Sequence, residues 1–254
     1  MEYELSFLFI SLLIVSGILA GFINTIAGGG SMLTLPALMI LGMPADIANG
    51  TNRVGILLQS IAGSRSFYKK GKLEPASIIP TLIPTLSGSL IGSLLASYLP
   101  VTFLKPALLV TMLGMALIML VRPSVVAPPA GTPVYNLQER PIAWFGLFIA
   151  GLYGGFVQAG VGFILIAALA GGLRYDLVRA NALKMAITVP VTVIALTVYV
   201  LRNQVQWIPG LVLAIGMVIG AMASVQFAIK VPQFVLKWVM FGMVLLVCLA
   251  AFFT

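Results

Sequence analysis

Long apolar stretches alternate with short polar breaks along nearly the whole chain. The apolar runs cover 5–27, 31–43, 47–67, 76–98, 102–121, 142–160, 162–173, 177–201, 207–228 and 233–253. Eight of them approach or exceed the roughly 20 residues that a helix needs to cross a bilayer. Runs 31–43 and 162–173 are too short to cross comfortably, and each follows a glycine-rich break, Ala27-Gly28-Gly29-Gly30 or Ala159-Gly160-Val161-Gly162. The pattern predicts an all-α polytopic membrane protein with 8–10 transmembrane helices and short broken or re-entrant helices after the breaks. Arms 5–27 and 31–43 have two readings. The short second arm favours a re-entrant hairpin, the full length of the first favours crossing, and both leave the downstream parity unchanged.

Residues 122–141 are the one stretch with linker character, carrying Pro123, Pro128, Pro129, Pro133 and Pro141. They divide a first membrane repeat, 1–121, from a second, 142–254. The halves share landmarks in the same order. Gly28/Gly30 returns as Gly160/Gly162, Asp46 with Arg53 as Asp176 with Lys184, and Gly88/Gly92 as Gly216/Gly220. Pro100–Lys105 returns as Pro232–Lys237, and all the offsets fall between 128 and 132 residues. Collinear matches of this kind point to an internal duplication.

Composition agrees with a lipid-solvated chain. Hydrophobic residues make up 61%, charged residues 8%, and the mean hydropathy is +1.14, whereas a soluble domain carries roughly 25% charge. With no histidine and a single cysteine, Cys248, the chain lacks Ser-His-Asp catalysis, zinc-ligand sets and an intrachain disulfide. The six carboxylates lie near predicted segment ends, so no deep acid/base pair is expected. No catalytic residue, metal or cofactor is assigned. The net charge of +8 is read as loop lysines and arginines rather than as a nucleic-acid surface. The start, Met1-Glu2-Tyr3-Glu4, has no positive region and reads as an uncleaved segment.

Those basic residues orient the chain. Lys69, Lys70, Lys72, Arg122, Arg140, Arg174, Arg179 and Lys230 fall on one side, taken as cytoplasmic, leaving Arg53, Lys105 and Arg202 on the other. Both termini are then predicted outside. Five segments per half is an odd number, so the second copy is inverted relative to the first.

Three consecutive glycines do not make a relaxed helix interior, since each costs about 1 kcal/mol relative to alanine. In lipid, such a break is tolerable where it is buried in protein or lines a cavity. In the run Asn24-Thr25-Ile26-Ala27-Gly28-Gly29-Gly30-Ser31, the free N–H groups and positive dipole end at Ser31 form a ready anion site. Close helix packing is the alternative use of glycine, preferred for Gly17/Gly21, Gly88/Gly92 and Gly216/Gly220. Those faces also permit, without requiring, a homodimer.

Next, Asn49-Gly50-Thr51-Asn52-Arg53 gathers amides, a hydroxyl and a guanidinium at the edge of an apolar helix. Asn49 or Thr51 as an N-cap with Arg53 snorkelling to headgroups is one reading. Arg53 gripping an anionic substrate through its planar fork is the other. In the second half, Asn181 and Lys184 keep an amide and a cation in matching places, so Arg53 and Lys184 could approach one cavity from opposite faces. Gln158, placed roughly at the equivalent of Thr25 or Ile26, is a polar group at the second break, facing substrate or a neighbouring helix. Lys105 and Lys237 read as snorkelling anchors, and Trp144, Trp207 and Trp238 as an interfacial belt.

The run Gly21–Pro36, the following Leu41–Asp46 and Ala48–Arg53, and the second-half Arg179–Lys184 resemble the TauE/SafE family of sulfite exporters. The resemblance spans essentially the whole chain, although Gly160-Val161-Gly162 is a thinner glycine motif than the family's second half often carries. It implies a bacterial inner-membrane transporter of small sulfur-containing anions, such as sulfite or organosulfonates, with export as the implied direction. The expected substrate site comprises Asn24, Thr25, Gly28, Gly29, Gly30, Ser31, Thr51, Asn52, Arg53, Gln158, Gly160, Gly162, Asn181 and Lys184, with helix starts at Ser31 and Phe163 facing the oxyanion. An anion channel with the same lining, or a non-transporting membrane scaffold, are the rival readings; an intramembrane enzyme lacks its residues.

Overall fold

The computed structural model describes residues 7–121 and 131–230, together with the single positions 128, 232 and 235. The last apolar run, most of the first half of the linker, both termini, Lys237, Trp238 and Cys248 lie outside the described residues. Among the described residues the chain is all-α. The helices are α1 (Phe7–Ile26), α2 (Ser31–Ile40), α3 (Ala45–Lys69), α4 (Ile79–Tyr98), α5 (Val101–Val121), α6 (Pro141–Phe156), α7 (Val161–Ile166), α8 (Leu177–Leu201) and α9 (Trp207–Lys230). A π-helical stretch, Ala167–Gly172, continues α7. Among the described residues four helices, α1, α4, α8 and α9, are long and apolar enough to cross a membrane.

Local chemistry sets the ends. Gly42, at φ +89°, closes α2, and the Met43 N–H reaches back to Leu38 O at 3.2 Å; this wrapped C-terminus favours glycine at the left-handed position. At the start of α8 the Asp176 carboxylate accepts from the Val178 and Arg179 N–H groups at 3.1 and 3.0 Å, capping the helix. Its other oxygen pairs with Arg179 Nε at 2.6 Å. Neither Asn49 nor Thr51 caps α3. Pro44 stands at that N-cap, and both residues lie inside the helix.

Helix pairing is reciprocal. α1 packs along α9 and α4 along α6, while α3 and α8 meet in the interior; α3 also lies on α9, and α8 on α4. Small residues permit the close approach. A methyl group on Gly21 would lie 2.1 Å from Met217 O, and one on Gly92 2.0 Å from Leu152 O. The Gly-xxx-Gly faces are therefore consumed within the chain and are not free for a second copy. Side chains such as Val15, Leu19, Ile83, Leu95 and Ile215 point outward, as lipid-facing positions should. Trp144 and Trp207 are likewise exposed near helix starts, where an interfacial belt would sit.

The interior is unusual for its polarity. Asn49, Thr51, Asn52, Arg53, Gln59 and Ser60 of α3 are all fully buried. A central helix that is polar and surrounded by apolar ones needs internal partners for each of these groups. Those partners define the site.

Candidate functional site

Two glycine breaks bring two helix hairpins tip to tip. α1 turns into α2 at Gly28–Gly30, and α6 turns into α7 at Gln158–Gly160. The tips touch: a Cβ on Gly28 would fall 2.4 Å from Gly162 Cα, and one on Gly162 2.3 Å from Gly28 Cα. Only glycine permits that contact. Gly28 (φ +99°) and Gly160 (φ +82°) also adopt the left-handed backbone that favours glycine. α7 starts at Val161, two residues before Phe163.

The second break differs in register from the sequence expectation. Gln158 has φ +68°, and its N–H bonds Tyr153 O five residues back at 3.3 Å; the Gly28 N–H does the same to Ile23 O at 3.2 Å. Gln158 therefore occupies the backbone position of Gly28, not that of Thr25 or Ile26. A non-glycine residue there costs about 1–2 kcal/mol, which its side chain offsets through Arg53.

Arg53 rises from α3 to the end of α6. Its Nη1 donates to Gly154 O at 2.8 Å and Gln158 Oε1 at 3.2 Å, and its Nη2 donates to Gly155 O at 2.6 Å. The guanidinium lies over the Tyr199 ring, 4.7 Å from its centroid. Asn49 completes the cap, donating to Phe156 O at 2.8 Å and to the Tyr199 hydroxyl at 2.9 Å. These carbonyls close the last turn of α6 and have no helical donor once the chain breaks.

Lys184 performs the mirror task. From α8 its ammonium donates to Asn24 O at 2.8 Å and Thr25 O at 2.9 Å in the last turn of α1, and to Asn181 Oδ1 at 2.8 Å. Three acceptors match the three N–H groups of a charged ammonium. Each cation thus caps the carbonyl end of the broken helix contributed by the other half, where the helix dipole favours positive charge.

This places the expected residues. Arg53 is fully buried, so it does not snorkel. Its N–H groups and those of Lys184 are spent on carbonyls, apart from Arg53 Nε, which finds no partner. Among the described residues neither cation pairs with a carboxylate, and the only ion pair joins Asp176 and Arg179. Asn24, Thr25, Ser31, Asn52, Gln158 and Asn181 are buried around the tips. Asn52 Oδ1 accepts from Thr34 at 2.6 Å, and Asn181 Oδ1 from Lys184; both Nδ2 groups are left buried and unpaired. Thr51 stands apart, accepting the Gln206 N–H at 2.9 Å and so tying α3 to the start of α9.

Thr34, Asn49 and Tyr199 joined this site without being singled out as ligands by the sequence. Tyr199 sits in an apolar run with nothing to mark it, whereas Asn49 stood inside the polar cluster. Gln59 and Ser60 of α3 and Thr192 of α8 are also buried, and their side chains find no partner.

A sequence model of the family described as "Sulfite exporter TauE/SafE" matches residues 13–251. The chain belongs to the TauE/SafE family. Relatives carry the same breadth of similarity. A probable membrane transporter protein of Haemophilus influenzae is 29% identical over 215 residues, covering 84% of this chain and 82% of the relative. One from Sinorhizobium is 27% identical over 238 residues, covering 92% and 88%. The probable membrane transporter protein YfcA of Escherichia coli K12 is 26% identical over 231 residues, covering 91% and 85%. No solved structure matches the chain. As a TauE/SafE member it is a membrane transporter and not an enzyme.

Proposed function

We propose that this TauE/SafE chain is a secondary transporter that exports a small sulfur-containing anion, sulfite or an organosulfonate, across the bacterial inner membrane. One observation carries the reading. Two buried cations, Arg53 and Lys184, stand at the junction of the broken hairpins with no paired carboxylate among the described residues. Uncompensated charge in a low-dielectric interior costs several kcal/mol per ion, and an anion at the junction relieves it.

Electrostatics supports the location. At a hairpin tip the carbonyl end of one helix and the N–H end of the next nearly cancel. Arg53 and Lys184 cover the carbonyl ends of α6 and α1, so the N–H end of α2 at Ser31 prevails. The unpaired Nδ2 groups of Asn52 and Asn181, and Arg53 Nε, add donors suited to an oxyanion. Gly28, Gly30 and Gly162 leave no room for a Cβ and Gly160 is left-handed; with Gly29 they form the backbone of the two tips.

In this reading the halves are inverted repeats of five segments, joined by the linker at 122–141, and they alternate access by moving about the Gly28–Gly162 contact. The reciprocal pairing of α1 with α9 and α6 with α4 supports that symmetry. Both termini lie outside, and sulfite leaves the cytoplasm. The test is flux into proteoliposomes of sulfite, sulfate, thiosulfate and short sulfonates, with and without a pH gradient. Saturable flux of sulfite or a sulfonate, stimulated by anion on the opposite side, is the expected result. Absence of flux removes the proposal, and single-channel currents replace the carrier with a pore.

A further inference from the structure

Gln59 is fully buried on α3, yet neither its Oε1 nor its Nε2 has a hydrogen-bond partner. A buried amide without partners is strongly disfavoured, and a leucine would pack there at lower cost. Its position gives the reason for its presence. α3 and α8 run antiparallel: Asn49 bonds the Tyr199 hydroxyl near one end, and a Cβ on Gly63 would meet Met185 Cε at 2.5 Å near the other. Gln59 falls between Arg53, which lies over Tyr199, and Gly63, which faces the residue beside Lys184. It also lies two helical turns from Asn52, on the same face. Ser60 beside it and Thr192 on α8 are buried with hydroxyls equally unpartnered.

The donor and acceptor inventory narrows the ligand. Asn52 Nδ2, Asn181 Nδ2 and Arg53 Nε can only donate, and they suit any oxyanion. Gln59 adds something different, an acceptor oxygen beside a donor. A bare oxyanion has nothing to give that oxygen. An anion carrying its own O–H or N–H satisfies it.

We propose that Gln59 binds substrate and selects anions that carry their own hydrogen-bond donor, such as hydrogen sulfite or a hydroxy- or amino-sulfonate, over those that do not. This rests on the transporter reading of the site and names the class of anion it takes. Polar pockets reject analogues that lack the expected hydroxyl far more strongly than apolar pockets reject a change in size.

The test compares 2-hydroxyethanesulfonate with ethanesulfonate, which differ by one hydroxyl, as inhibitors of sulfite flux in proteoliposomes. With the wild-type chain the hydroxylated sulfonate should inhibit at about tenfold lower concentration or better. In Gln59→Leu that preference should vanish while ethanesulfonate still inhibits. The same variant should unfold a few degrees higher, because an unsatisfied amide has been replaced by an apolar group. Gln59→Met, close in shape, repeats the comparison should the leucine variant lose its thermal transition. A preference retained in either folded variant, no preference in the wild type, or no inhibition by either sulfonate overturns the role of Gln59. An absence of sulfite flux in the wild type overturns the transport reading, and this proposal with it.

Discussion

The two cation caps solve one problem with different chemistry. Lys184 meets three acceptors with three donors and is saturated. Arg53 meets three carbonyl oxygens and, at 3.5 Å, the Tyr199 hydroxyl, stacks on the Tyr199 ring, and still keeps Nε free. The Lys184 end reads as a closed structural cap, whereas the Arg53 end holds a spare donor and a left-handed Gln158. Symmetry of placement therefore does not imply equality of role. The Arg53 side has more donors to offer an anion, and more to lose.

The sharpest break in this comparison is removal of each cation. Arg53→Met leaves Gly154 O and Gln158 Oε1 without a donor and Gly155 O with only the Tyr199 hydroxyl, and at about 1–3 kcal/mol for each buried acceptor left unsatisfied should destabilise by about 3–5 kcal/mol. Detergent thermal melts should show that loss, together with abolished flux. Lys184→Met strips two carbonyls and Asn181, and a smaller loss of about 2–4 kcal/mol is expected. Equal stability losses in the two variants would erase the distinction between the caps.

Arg53→Lys sharpens it further. An ammonium has three donors but no planar fork, so it can hold the two glycine carbonyls while losing the stacking and the spare Nε. A stability cost of about 1–2 kcal/mol is expected, with sulfite flux falling more than stability does. Flux equal to wild type would contradict a ligand role for the fork. Tyr199→Phe keeps the ring under Arg53 but deletes the hydroxyl that accepts from Asn49, at about 1 kcal/mol by urea or thermal titration. Gln158→Gly is the mildest. Relief of left-handed strain, about 1–2 kcal/mol, opposes loss of a charge-assisted bond of similar size, so the melting temperature should barely move.

Much of the helical frame was legible in the sequence. Runs 177–201 and 207–228 fall on α8 and α9 nearly residue for residue, because apolar length and polar breaks alone fix such boundaries. The glycine breaks were legible too, since a run of glycines interrupts a helix and, in lipid, such a break belongs where protein buries it. The partners of the cations were not. Arg53 contacts carbonyls more than 100 positions away, and Lys184 contacts carbonyls about 160 away. Backbone acceptors leave no side-chain signature in sequence. Thr51 illustrates the converse, a polar residue in the right cluster whose hydroxyl turns to an α9 backbone N–H instead. Gln158 is plainly polar in the sequence, but its register depends on a five-residue backbone bond that no composition reveals.

The central claim is that paired, uncompensated cations at the hairpin junction hold an anion. It is tested most directly by equilibrium binding of sulfite to the purified wild-type chain and to a chain carrying both Arg53→Gln and Lys184→Gln, each checked for helical content. Glutamine can still donate to the carbonyls but carries no charge. Saturable sulfite binding by the wild type, lost in the folded double variant, is the expected result. Unchanged binding in the folded double variant would contradict the account.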